Sequence, residues 1–207
     1  MTTVDRFKAK APGIMAQLII DFQLTPQEAA AIVGNLGHES GGLETLQEIK
    51  PIVKGSAGGY GWAQWTGPRR RAYEAFCART GRNPASDDAN YAFLWRELTG
   101  IEGSEGGALR KLRNAPANIE DKVKAFELAF LRAHKDYKHY PSRVQWANRA
   151  LEAWRAVKPG IPIPTPTAKP ESPAPVAKKG GSGVVGIVGV VLLIIVALAV
   201  WYVGFRR

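Results

Sequence analysis

Residues 184–203 read VVGIVGVVLLIIVALAVWYV, a run without a charge or a proline. At the rise of an α-helix such a run spans about 30 Å, the thickness of the hydrocarbon core of a bilayer. Lys178 and Lys179 precede it, Trp201 and Tyr202 stand at its far end where an aromatic belt belongs, and Arg206 and Arg207 follow. A single membrane-spanning helix is therefore expected here, and the rest of the chain has to work tethered to a lipid bilayer by its C-terminal end. The opening stretch MTTVDRFKAK has no apolar run, so a cleaved leader is not expected, and any extracytoplasmic work needs another route across the membrane.

Ahead of the apolar run, residues 158–183 read KPGIPIPTPTAKPESPAPVAKKGGSG. Spaced prolines favour an extended, semi-rigid stalk, at about 3 Å per residue in the polyproline conformation, and the final glycines and serine loosen it. The expected plan is a globular head over residues 1–157, a stalk over 158–183, a membrane span over 184–203 and a short basic tail over 204–207. The head carries 22 basic and 17 acidic side chains, and the remaining excess of positive charge lies in the stalk and tail. A moderate positive excess suits a polyanionic partner such as a bacterial cell wall, anionic lipid or nucleic acid. Basic residues interspersed with acids, and no recognition-helix motif, argue against specific nucleic-acid binding. The single cysteine, Cys77, rules out an internal disulfide and reads as a small buried hydrophobe, so an ordinary apolar core has to stabilise the head.

The head reads as mainly helical. Pro12 is expected to open a first helix that aligns Ile14, Leu18, Ile19 and Phe22. Thr25-Pro26-Gln27-Glu28 is a capping box with proline at the first helical position, and the helix it starts runs to the Gly41-Gly42 break. Asp87 or Asp88 is expected to cap a helix ending at Leu98, and Asn118 another that carries Val123, Phe126 and Phe130. A last amphipathic helix presents Val144, Ala147, Leu151 and Trp154 on one side. Residues 43–66 have glycines and short apolar patches without helical period, which suits a short hairpin or an irregular active-site segment.

Two motifs carry chemistry. Glu39 lies in the last turn of an apolar helix, where the negative end of the helix dipole and the apolar neighbours both disfavour a carboxylate; its proton affinity is expected to rise. A carboxylic acid of that kind can donate a proton to a glycosidic oxygen. Farther along, Gly58-Gly59-Tyr60-Gly61-Trp62-Ala63-Gln64-Trp65-Thr66-Gly67 combines small residues with two indoles, a phenol and an amide, the composition of a glycan groove or of a packed turn. Neither a metal nor a cofactor is expected. Gly42 stands where a His-Glu-x-x-His zinc motif needs its second histidine, and His134 and His139 have no partner at ligand spacing.

Together, Gly34-Asn35-Leu36-Gly37-His38-Glu39-Ser40-Gly41-Gly42 and Gly59-Tyr60-Gly61-Trp62-Ala63-Gln64-Trp65-Thr66-Gly67-Pro68-Arg69-Arg70 resemble the phage tail lysozyme family of the lysozyme-like superfamily, which is similar in layout to lytic transglycosylases and goose-type lysozymes. The likeness continues through Asn90-Tyr91-Ala92-Phe93-Leu94-Trp95-Arg96-Glu97-Leu98 and His139-Tyr140-Pro141-Ser142-Arg143 and covers residues 11–157. It implies a lysozyme-like fold and an enzyme that cuts peptidoglycan glycan strands between N-acetylmuramic acid and N-acetylglucosamine, as a hydrolase or as a lytic transglycosylase. By the same resemblance Glu39 is the catalytic acid, Ser40 helps to orient it, Tyr60, Trp62 and Gln64 line the substrate cleft and Trp65 forms its wall or floor. Glu97 and Arg143 read as a structural glutamate and arginine, Glu44 and Glu48 as candidates for a second carboxylate, and Arg69, Arg70 and Arg71 as either wall-binding cations or a solvated helix start. Phage proteins of this type work at infection or at release, so the expected location is a virion, including one with an internal membrane, or the host inner membrane, with other virion proteins as partners. Two competing readings are a catalytically idle wall-binding or virion-structural module and a membrane-disrupting lysis protein whose working part is the anchor.

Overall fold

The structure, a computed structural model, describes residues 1–49 and 57–157. The expected stalk, span and tail at 158–183, 184–203 and 204–207 lie outside the described residues. Among the described residues no helix is long and apolar enough to cross a membrane.

The described residues are mainly helical, with isolated β-bridges in place of named strands. Helix α1 (Thr3–Phe22) begins well before the proline expected to open it. Thr2 and Asp5 form a reciprocal capping box, and Phe7, Ala11, Met15, Leu18 and Phe22 make one buried stripe that passes through Pro12. The stripe supplies tertiary packing that outweighs the backbone hydrogen bond lost at a mid-helix proline. Thr2→Ala is expected to lower stability by about 1 kcal/mol in denaturant titration; a helix starting at Pro12 would show no change.

Helix α2 (Pro26–Glu39) starts at the expected capping box, in which Thr25 and Glu28 exchange bonds of 2.9 and 3.3 Å. All residues from position 28 to position 37 are buried, so α2 is the central helix, with α1 and two later helices, Ile119–Phe126 and Tyr140–Ala156, packed against it. Its buried Glu28 also receives the Lys122 ammonium at 2.9 Å, and Lys122 donates onward to the Leu112 and Arg113 carbonyls. A buried charge pair of this kind is tolerable because each remaining donor is satisfied.

Helix α3 (Gly67–Thr80) ends at Gly81 in the left-handed conformation, and α4 (Asp87–Leu98) follows. The cap of α4 is Ser86, whose hydroxyl accepts from the Ala89 amide at 3.1 Å, and not Asp87 or Asp88. The two aspartates sit one step later, in the first turn, where they complement the helix dipole and pair with Lys10 and Arg82. Between α3 and α4 lies an aromatic cluster of Trp65, Tyr73, Phe76 and Phe93, with ring centroids 4.6–5.7 Å apart.

A 3-10 turn (Glu105–Gly107) leads into α5 (Ala108–Asn114), and α6 (Ile119–Phe126) starts at the expected Asn118 cap. Phe130 was expected on the same α-helix; it lies instead in a π-helical turn (Glu127–Leu131) that continues α6. A second 3-10 turn (Lys135–Tyr137) precedes α7 (Tyr140–Ala156), the expected last helix. Helix α7 crosses α2 closely, because position 34 is glycine: a Cβ there would lie 2.5 Å from the Cα, Cβ and N of Ala147.

Candidate active site

The site is built where the end of α2 meets the start of α7. Asn35 and Glu39 are one turn apart on α2 and share a face. Asn35 is fully buried; its amide donates to the Ala31 and Val123 carbonyls at 2.9 and 3.1 Å, which leaves its oxygen to accept from Arg143 at 3.3 Å. Arg143, only 1% exposed, also donates to the Lys138 carbonyl and places Nη2 2.7 Å from Glu39 Oε1. Arg143 is thus an ion-pair partner, as the sequence suggested, but its acid is Glu39 itself. Among the described residues Glu39 Oε2 has no protein partner, and the side chain is 20% exposed. One oxygen is therefore held in place and the other is uncommitted among the described residues. The guanidinium contributes an attraction opposite in sign to the helix-end repulsion on which the sequence argument for Glu39 rested.

The neighbouring His38 lies in the last turn of α2, with Nδ1 2.9 Å from the Ser142 hydroxyl. Burial, followed by the positive charge of Arg143 and the proximity of His139, pushes its imidazole down to about 4. The folded state thus resists a proton that the unfolded chain accepts at the ordinary 6.5, so acid favours unfolding as pH falls from about 6.5 towards 4. His38→Asn, which keeps a polar partner for Ser142 without the titration, is expected to show a shallower fall of melting temperature across that window than the parent.

Ser40 is the C-cap of α2 and fully buried; its hydroxyl donates to the Leu36 carbonyl at 2.7 Å. The expected orienting contact to the Glu39 carboxylate is not made, because the hydroxyl is spent on closing the helix. After it, Gly41, Gly42 and Leu43 all have positive φ and turn the chain back sharply. Glycine is required at position 42 in particular, since a Cβ would meet Thr3 at 2.7 Å and Trp146 at 3.1 Å.

The returning segment pairs with the glycine-rich motif, as the hairpin reading of residues 43–66 anticipated. Gln47 and Tyr60 form an antiparallel bridge, flanked by bonds from Gly61 N to Leu46 O and from Glu48 N to Gly59 O at 2.8 and 2.9 Å. Tyr60 and Trp65 then exchange two backbone bonds across a tight loop in which Gln64 adopts φ 47°. The Gln64 amide nitrogen donates to the carbonyls of Thr45, Leu46 and Gly61 at 3.0–3.1 Å and so fastens this loop to the turn behind Glu39. Its Oε1 and the Tyr60 hydroxyl have no protein partner among the described residues. Tyr60 is half-buried beneath the Arg70 guanidinium, 5.2 Å from its ring centre.

Both tryptophans of the motif lie inside rather than on the surface, each 1% exposed. Trp62 N donates to Asn90 Oδ1 at 2.8 Å, and its indole Nε1 is buried without a partner among the described residues. Trp65 donates to Glu97 at 2.7 Å and packs on Tyr73 and Phe93. Glu97 also takes the fork of Arg69 at 2.7 and 2.9 Å, an ion pair of the kind its structural reading expects. Burial pushes the Glu97 carboxyl up despite Arg69 and Trp65. Arg69 lies over Phe130 at 4.7 Å, and Arg70 binds the Gly58 carbonyl at 3.1 Å and the Gln47 side chain at 3.1 Å, so neither is a solvated helix start.

Of the second-acid candidates, Glu44 is paired with Arg6, chiefly through a hydrogen bond that holds its carboxyl low. Glu48 accepts the Gly59 amide at 2.7 Å on one oxygen and has the other without a partner among the described residues. Sequence reasoning missed Glu127. The π turn directs this fully buried carboxylate at the Ala133 amide, the Tyr140 hydroxyl and the Lys138 ammonium, at 2.9, 2.9 and 3.2 Å. It therefore fixes the loop whose Lys138 carbonyl holds Arg143. A glutamate between phenylalanines on a helix reads as surface; only the one-residue insertion of the π turn gives it this direction.

The family model described as phage tail lysozyme matches residues 10–154. No curated protein and no solved structure matches the chain.

Proposed function

Because this chain belongs to the phage tail lysozyme family, we propose that it cuts peptidoglycan glycan strands with Glu39 as general acid, while anchored to a membrane through residues 184–203. The observation that carries the reading is the divided role of the Glu39 carboxyl, one oxygen held by a buried arginine and the other without a partner among the described residues, on a side chain that is 20% exposed. In the protonated form of Glu39, Oε2 is the oxygen that can donate to a glycosidic oxygen, and Arg143 stabilises the carboxylate left behind. Tyr60 and Gln64 offer a hydroxyl and an amide oxygen to the sugar. Ser40, Trp62 and Trp65 serve from beneath, by closing α2 and fixing the loop. Glu48, with one uncommitted oxygen, is the better base for a hydrolytic water than Glu44, which Arg6 occupies. We therefore favour hydrolysis over intramolecular transglycosylation.

A bilayer anchor and a proline stalk suit a head that faces the wall from a virion membrane or from the host inner membrane, for wall penetration at infection or lysis at release. The test is digestion of purified sacculi by the full chain in detergent, followed by mass analysis of soluble fragments. Reducing ends are expected; anhydro ends would replace hydrolysis by transglycosylation, and a complete lack of fragments would sink the enzymatic reading.

A further inference from the structure

The loop between the π turn and α7 carries aromatic side chains that neither the core nor the Glu39 network uses. His134, Tyr137, His139 and His38 form a row with successive ring centroids 6.2, 6.4 and 5.7 Å apart. Its inner end, His38, is the residue before Glu39. Its outer members face solvent: Tyr137 is 51% exposed and the His134 side chain 64%. Exposed rings that neighbour one another in turn along such a row, with successive planes tilted 51°, 53° and 42°, are unlike core aromatics, which would be buried, and unlike scattered surface residues, which would stand apart.

The loop is also held in shape before any ligand arrives. Tyr137 N donates to the His134 carbonyl at 2.9 Å, and His134 lies 3.2 Å from Asp136. Glu127 fastens both ends of the segment through the Ala133 amide and the Tyr140 hydroxyl. A rigid platform binds with less loss of conformational freedom than a mobile one.

We propose that His134, Tyr137 and His139 form a stacking track for the sugar rings of an N-acetylated glycan strand, extending away from Glu39. The apolar C–H faces of sugar rings cover the aromatic faces, and the imidazole N–H groups and the phenol hydroxyl reach the hydroxyl and acetamido groups. This inference rests on the glycosidase reading and assigns it a length dependence: strands long enough to lie on the track bind more tightly than short ones.

The test uses the full chain carrying Glu39→Gln, so that ligand is bound without being consumed, and N-acetylglucosamine oligomers of two and of six sugars as probes. Adding Tyr137→Ala is expected to weaken hexamer binding about tenfold and dimer binding little. Tyr137→Phe retains the ring and is expected to bind close to the parent, and Ile101→Ala, a surface change elsewhere, is expected to have no effect. Unchanged hexamer affinity in both Tyr137→Ala and His134→Ala, with melting temperatures intact, would overturn the track, as would a parent that binds neither oligomer. Sacculus cleavage by the chain with native Glu39 is measured alongside. Cleavage with an unaffected hexamer affinity removes the track and leaves the enzyme; track-dependent binding without cleavage does the reverse.

Discussion

Glu39→Gln is expected to reduce fragment release from sacculi by about 10²–10⁴-fold, the range set by loss of a positioned general acid. Glutamine has nearly the same shape, and its oxygen can still accept from Arg143, so the loop geometry and the glycan contacts should persist. What disappears is a carboxyl group that in its acid form can donate a proton and in its ionised form balances a guanidinium 1% exposed. Some loss of stability is therefore expected as well, since a buried charge is left with only the neutral oxygens of Asn35, Lys138 and the new amide. Melting curves and sacculus binding measured on the same sample separate the two effects. A variant that binds, melts close to the parent and yet releases fragments at the parent rate would remove Glu39 from the chemistry.

The helices were legible where local rules act alone. Thr25 with Glu28, and Asn118, are capping residues whose bonds lie within one turn, and both hold. Pro12 misled because proline is a strong local signal, whereas the stripe from Phe7 to Phe22 that overrides it gains its energy from contacts with other helices. Ser86 against Asp87 is a one-residue displacement among three good caps, which only the backbone conformation resolves.

The candidate site divides in the same way. The position of Glu39 at a helix end and the hairpin between the segments 46–48 and 59–61 follow from glycine placement and periodicity. The charge beside Glu39 does not, because Arg143 is more than a hundred residues away in the chain and is brought there by packing of α7 on α2. Burial of Trp62 and Trp65 was equally out of reach: a glycine-rich loop full of aromatics reads the same whether its rings face a ligand or the core.

That packing makes Gly34 the residue on which both fold and site depend. In an ordinary helix interior, Gly→Ala stabilises by about 1 kcal/mol. At position 34 the new Cβ would lie 2.5 Å from three atoms of Ala147, two of them backbone, so no side-chain rotation relieves the clash. Overpacking of this kind costs up to about 3 kcal/mol and outweighs the propensity gain, so Gly34→Ala is expected to lower stability by about 2 kcal/mol or more in denaturant titration. Any relaxation has to move α7 outward, and Arg143 lies one turn before Ala147 on the same face of that helix. Its guanidinium then withdraws from Asn35 and Glu39, and a displacement on the order of 1 Å at a reacting group can cost about 100-fold in rate. The folded fraction of Gly34→Ala is accordingly expected to cleave slowly, even at a temperature where it is fully native. Gly37→Ala is the comparison: its Cβ would meet the buried Phe7 ring at 2.7 Å, a side-chain rather than a backbone contact, and Phe7 lies on α1, which carries no part of the Glu39 network. A loss of stability without loss of rate at Gly37, against a loss of both at Gly34, would show that the spacing of α2 and α7 sets the charge held against Glu39. Equal rates in the two variants would mean that Arg143 follows Glu39 through loop movement and not through helix spacing.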